Sequence, residues 1–184
     1  MEVGRRWAGP HDVESIGLLA MCLFTQARRH ARTTAAGEVV LLPDQDRTRW
    51  DRPMIDEGTG LLKRAMRLGR SGRLQVPAAI AGVHSSASSP EATEWGQIAA
   101  LYEDLVAVSP TAGVRLNHAV AVSMAKSPEA GLLLLNAVDL VDTPNGYAHS
   151  HAARASLLAQ SGEADVAVDA YDRALQLTQA GPER

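Results

Sequence analysis

At 184 residues, 46% of them hydrophobic and 21% charged, the chain is long enough to bury a full core, yet it has no apolar run near the roughly 18 residues that a membrane span requires. Ala, Leu and Val dominate and there is one Phe, a composition suited to closely packed helices rather than aromatic-rich sheets. The net charge of −3 is uneven: residues 1–73 carry 13 Lys+Arg against 9 Asp+Glu, net +4, and residues 74–184 carry 5 against 12, net −7. A surplus of +4 is far from the dense basic face that phosphate contacts need, so direct DNA binding is not expected and a charged protein partner fits better.

Residues 1–7 lack the apolar stretch of a signal peptide, and the single Cys22 cannot form an internal disulfide, so a cytoplasmic location is expected. Ile16, Leu19, Ala20, Leu23, Phe24 and Ala27 recur at helical spacing and predict an amphipathic helix over about 12–30, with Cys22 packed in its core face and Arg28, Arg29, His30 and Arg32 closing its last turn. Residues 35–42 read as a turn and a short apolar run, a brief extended segment buried along the bundle. Met54, Gly58, Leu61, Ala65 and Leu68 then stripe a second helix ending near Gly69. Pro53 is tolerated only in its first turn, which makes Asp51 the expected N-cap.

A helix over about 75–85 follows, with Pro77 early. The pairs Ser89-Pro90, Ser109-Pro110 and Ser127-Pro128 each read as a helix start, a capping hydroxyl followed by a pre-set φ. Between them lie the stripes Trp95, Ile98, Ala99, Tyr102, Leu105, Val106 and Leu116, Ala119, Val120, Ser123. Towards the C-terminus, Ala155 and Leu158, a turn at Gly162, then Ala167, Tyr171 and Ala174 have the pattern of a tetratricopeptide unit, with a degraded version between Pro110 and Leu140. The expectation is an all-α array of about seven to eight helices. It forms a single helical domain over 1–184, with 12–108 as its N-terminal helices and 109–180 as tetratricopeptide-like pairs.

The densest chemistry lies in Asp44, Gln45, Asp46, Arg47, Thr48, Arg49, Trp50 and Asp51, at the mouth of the second helix. Spaced carboxylates suit hard cations, but in an EF-hand register starting at Asp44 the required Gly falls on Arg49 and the terminal Glu on Ile55. An electrostatic knot fits better: Asp carboxylates capping N–H groups and taking bidentate bonds from Arg47, Arg49 or Arg52, under the apolar body of Trp50. Some of these groups would instead meet another protein, for which Trp and Arg are the favoured anchors.

His149 and His151, beside Tyr147, are two apart and do not share a helix face. No HExxH, phosphate loop or nucleophile elbow occurs. No catalytic residue, metal or cofactor is assigned. His84, Asn117 and Arg154 are candidates to line a groove for a small-molecule effector.

The octad Asp44 to Asp51, DQDRTRWD, resembles the DQDRSRWD signature in the C-terminal extension of one group of extracytoplasmic-function sigma factors of the sigma-70 family. Other segments are similar in the same order: "GLLA" and "ARR" within 14–29, 31–33, 51–58, 74–75, 78–81 with Val83-His84, Trp95 with 97–102, 116–117 with 119–122, and "AARASLL" from Ala152. The chain departs from that pattern at Pro43, Thr48, Pro53 and Pro77, and lacks an arginine-rich final helix after Glu183. The resemblance implies a tetratricopeptide-like regulatory domain that controls transcription initiation through contacts with the sigma factor's promoter-binding regions or with core RNA polymerase. Sigma regions 2 and 4 themselves are not expected within these residues, which would make the chain an excised domain or a free-standing copy. The working surface expected is Asp44, Gln45, Asp46, Arg47, Arg49, Trp50 and Asp51.

Overall fold

The computed structural model describes residues 10–68, 73–137 and 144–179. Gly69, Leu140 and Glu183 lie outside the described residues, as do the side chains of Tyr147 and His149. The described residues are all helical in architecture: α1 (Pro10–Ala27), α2 (Arg52–Arg67), α3 (Gln75–Ser86), α4 (Trp95–Val108), α5 (Ala112–Ala125), α6 (Pro128–Asn136), α7 (Pro144–Gln160) and α8 (Ala164–Gln179), with three 3-10 turns between α1 and α2. They contain no strand, only one isolated bridge between Thr33 and Val39. No helix among them is long and apolar enough to cross a membrane.

The chain forms two compact units, Met1–Glu94 and Trp95–Arg184. The boundary between the units lies ahead of Trp95, and α4 packs on α5.

In the first unit α1 packs against both α2 and α3. Its core face is Val13, Ile16, Ala20, Phe24 and Ala27. Phe24, fully buried, is wedged between two glycines: a Cβ on Gly58 of α2 would lie 3.0 Å from the ring, and one on Gly82 of α3 would lie 3.2 Å from it. The start of α3 is clasped to α1 by Glu14, whose carboxylate receives the Arg73 N–H (2.6 Å) and the Leu74 N–H (2.9 Å). Asp51 caps α2 as expected, accepting from the Met54 N–H (3.1 Å), with Pro53 in the first turn.

In the second unit Ser127 caps α6 and Pro128 opens it. Gly131 brings α6 against α5 so closely that a Cβ would meet Ser123 Cβ at 2.5 Å and the Ala119 carbonyl oxygen at 2.8 Å. α7 and α8 pack against each other across the turn at Gly162. Gly162, at φ 87°, ends α7 in a Schellman turn: Glu163 N–H donates to Leu158 O (2.9 Å) and Gly162 N–H to Ala159 O (3.3 Å). Ala155, Leu158, Ala167 and Ala170 then close against one another.

α1 stops at Ala27, so Arg28 and Arg29 lie beyond it rather than in its last turn. Cys22 is exposed, not core: two positions from both Ala20 and Phe24, it turns roughly 200° away from each. Leu19 and Leu68 are also outside, while Met54 packs partly buried on the core beside the buried Ile55. The run at 39–42 is not buried along the bundle, since Val39 is 80% and Leu41 66% exposed; Leu42 alone packs on the core. Ser89-Pro90 starts only a turn, Ser89 Oγ accepting from Ala92 N–H, and Thr111 rather than Ser109 caps α5. Tyr171 faces outward on α8.

The glycines provide a paired test. Gly131→Ala is expected to cost about 1–3 kcal/mol through overpacking, whereas Gly60→Ala, on an exposed face of α2 with nothing within 4 Å, is expected to stabilise by about 0.5–1 kcal/mol. Denaturant melts of the two variants check both signs.

Candidate functional site

Between α1 and α2 the chain has little regular structure and must be held by side chains. The 3-10 turn Leu42–Asp44 leads through Gln45 and Asp46 into a second, Arg47–Arg49, and Trp50 and Asp51 then enter α2. Alternate members turn inward. Gln45, Arg47 and Trp50 are buried and Asp51 half-buried, whereas Asp44, Asp46, Thr48 and Arg49 are exposed.

Arg47 is the main tie. Its Nη1 donates to the His84 carbonyl (3.1 Å) and to the Ala87 carbonyl (2.8 Å), so a cation closes the C-terminus of α3, where free carbonyls and the helix dipole favour positive charge. The same guanidinium lies over the Trp50 ring, 4.6 Å from its centroid. The Arg28 guanidinium lies 5.9 Å from that centroid. Such cation–π contacts contribute about 0.5–2 kcal/mol each, more as they are desolvated. Trp50 is 3% exposed and packs with Ala27, Ala31 and Ile55; its backbone neighbour Asp51 donates its N–H to Ala27 O (2.9 Å). Gln45 Nε2 donates to Val40 O (3.1 Å), pinning the loop from the other side.

The expected Asp–Arg knot does not form. No ion pair joins Asp44, Asp46 or Asp51 to Arg47, Arg49 or Arg52, and the Asp46 and Asp51 carboxylates are used by local donors. Asp46 caps the second 3-10 turn, accepting from Thr48 N–H (2.9 Å) and Thr48 Oγ–H (2.6 Å). Those bonds, helped by the charge of Arg49, hold its carboxyl below the usual carboxylate range. Asp51 is occupied by its cap.

The inner groups form a positive cluster. Burial lowers the Arg28 and Arg47 guanidiniums from their ordinary value, and neighbouring cations push the same way, Arg32 and Arg47 on Arg28 and Arg52 on Arg47. His84 is pushed down to about 4, by burial first and then by Arg28 and Arg47, so it is neutral at pH 7. His84 therefore belongs with the motif. Asn117 and Arg154, expected beside it in a groove, lie in the second unit and are engaged there: Asn117 hydrogen-bonds Tyr102, and Arg154 donates to Asn136 Oδ1. That unit does hold an open groove of about 570 Å³ between α4, α5 and α6, edged by Glu103, His118 and Lys126, which no spacing in the sequence marks. Among the described residues no three His, Cys, Asp or Glu side chains gather as metal ligands would.

Arg47→Ala is expected to cost about 2–4 kcal/mol, since it leaves carbonyls at the end of α3 unmet, and Arg47→Lys recovers only part of it, lacking the planar fork. The exposed Arg49→Ala should stay within about 0.5 kcal/mol in the same urea titrations. His84 sets a pH dependence. The unfolded imidazole takes its proton near the ordinary value and the folded one only near 4, so stability is lost as pH falls through that window. The loss from His84 is expected to be about 1–2 kcal/mol after allowing for solvent screening, and His84→Gln should remove that share of the pH dependence.

Residues 6–66 match a family described as a family of unknown function, DUF6596. The chain is 44% identical over 168 residues to an uncharacterized protein of Rhizobium meliloti (strain 1021). That match takes in 91% of this chain but 39% of the relative, so the chain spans well under half the length of the protein it resembles. No solved structure matches it.

Proposed function

We propose that this chain is a non-catalytic regulatory region of a sigma factor, controlling transcription initiation in the bacterial cytoplasm through protein–protein contacts at the Asp44 to Asp51 motif. The observation that carries the reading is the division of the motif into two halves. Gln45, Arg47 and Trp50 are spent on holding the loop, while Asp44, Asp46 and Arg49 stand exposed on a segment that those ties keep in place. A fixed, charged and solvent-facing ridge is suited to electrostatic recognition of another protein, in which complementary charge sets specificity and encounter rate. The resemblance to the DQDRSRWD signature names the partner class as the promoter-binding sigma regions or core polymerase. The much longer Rhizobium relative is in keeping with a chain that works as one part of a larger protein.

In a full-length sigma factor carrying this region, Asp46→Ala or Trp50→Ala is expected to abolish promoter activation at normal protein levels. Purified chain should capture core polymerase or the isolated sigma regions, and the triple change Asp44→Asn, Asp46→Asn, Arg49→Gln should weaken capture at least tenfold, about 1.4 kcal/mol or more. Unchanged reporter output and equal capture by the folded triple variant would sink the reading. A second reading, a small-molecule sensor gating the same output, is favoured by the groove edged by Glu103, His118 and Lys126. Thermal stabilisation by a metabolite, lost in His118→Ala, would support it.

A further inference from the structure

The cluster around Trp50 holds cations without an internal anion. Arg28 is half-buried over one ring and Arg47 is buried over the same ring. Two side chains more than nine-tenths buried keep a donor with no partner: Arg47, 7% exposed, at Nε, and Trp50, 3% exposed, at Nε1. Arg28 Nε is likewise sealed and unpartnered.

The charged and titratable groups that face the cluster are Arg32 beside Arg28, Arg52 and Glu91 beside Arg47, and His84, on which both arginines act. Glu91 is the one carboxylate among them. It is exposed, turned to Ser89 and its own backbone, and makes no ion pair with Arg47. The carbonyls at the end of α3 meet part of the Arg47 charge, but Arg28 has no carboxylate partner among the described residues, and donors are left over in a partly dry site. Arg28 is only half covered, so a group from outside can reach the cluster where it is most exposed.

We propose that this cluster is an anion-receiving pocket that takes a carboxylate side chain from an acidic segment of a protein partner, with Arg28 as its principal donor. The choice of a carboxylate rests on the reading above of the chain as a protein-binding region, since carboxylates are the anions that proteins carry. A guanidinium stacked on an indole keeps its edge free for a two-oxygen acceptor, and the fork matches carboxylate geometry. The pocket would add a second contact to the exposed ridge at Asp44, Asp46 and Arg49, one of opposite sign to that ridge's carboxylates.

The test uses the whole chain, titrated with a capped Glu-Glu peptide and, separately, with inorganic phosphate, at constant ionic strength. Arginine Nε–H, Trp50 indole N–H and His84 imidazole signals are followed by NMR. The peptide is expected to saturate, to shift the Arg28 and Trp50 signals together and to raise the His84 pKa; Arg28→Gln weakens it at least tenfold, whereas Lys63→Gln leaves it unchanged. Saturation by phosphate with none by the peptide overturns the assignment to a carboxylate. Absence of saturation by both overturns the pocket, a result that wild-type protein delivers even if Arg28→Gln does not fold. Peptide binding that is lost in Arg28→Gln while capture of polymerase and sigma regions is unaffected upholds the pocket and overturns its use in sigma control, so the two readings fail separately.

Discussion

The guanidinium of Arg47, seated on two carbonyls at the end of α3 and stacked over Trp50, is the contact on which the order of the first unit turns. The segment between α1 and α2 has three short 3-10 turns and one isolated bridge, too few backbone bonds to fix itself. Arg47 joins it to groups 37 and 40 residues away along the chain. Closing a loop of that length costs entropy that grows only slowly with length, so one well-satisfied charged tie and one buried indole can offset it. Around this tie Gln45, Asp46 and Asp51 each use a local backbone partner, and the loop becomes a defined surface.

The same economy runs through the packing. With one Phe and three Trp in the whole chain, large side chains are scarce, and helices approach closely over Ala and Gly instead. Phe24 fills the gap between Gly58 and Gly82, and Gly131 removes the Cβ that would strike α5. Ala20, Ala27, Ala65, Ala78, Ala119 and Ala155 are all fully buried or nearly so. Such cores depend on backbone proximity more than on side-chain volume, which makes added methyl groups more harmful than their size suggests.

Electrostatically, the motif sorts its charges by depth. Carboxylates Asp44 and Asp46 stay in solvent, while Arg28 and Arg47 are drawn inward over an aromatic face. Arginine tolerates this because its delocalised, weakly hydrated cation loses less on leaving water than an ammonium would. His84 stays neutral beside them, which limits the repulsion that a third positive group would add. The result is a pair of solvent-facing carboxylates outside a cationic interior, a polarity that net charge alone does not convey.

What could be read from residues alone was whatever is decided within one helical turn. Asp51 with Pro53, Ser127 with Pro128 and the break at Gly162 announced helix boundaries because a cap acts on an N–H three residues away and a left-handed φ belongs to one glycine. The all-α class and the apolar stripes followed from period and composition, and the importance of residues 44–51 from their density of charge. Tertiary structure alone decided which of those charges face inward. Nothing near Arg47 in the chain identifies carbonyls at His84 and Ala87 as its partners, and nothing near Trp50 identifies Arg28 as the second cation on its ring. The same holds for Cys22, Leu19 and Tyr171, whose helices were foreseen but whose exposure depends on which faces of those helices find neighbours. Caps and turns are local interactions, legible in short spacing; burial and the partners of a long flexible side chain are set by segments brought together only once the chain has folded.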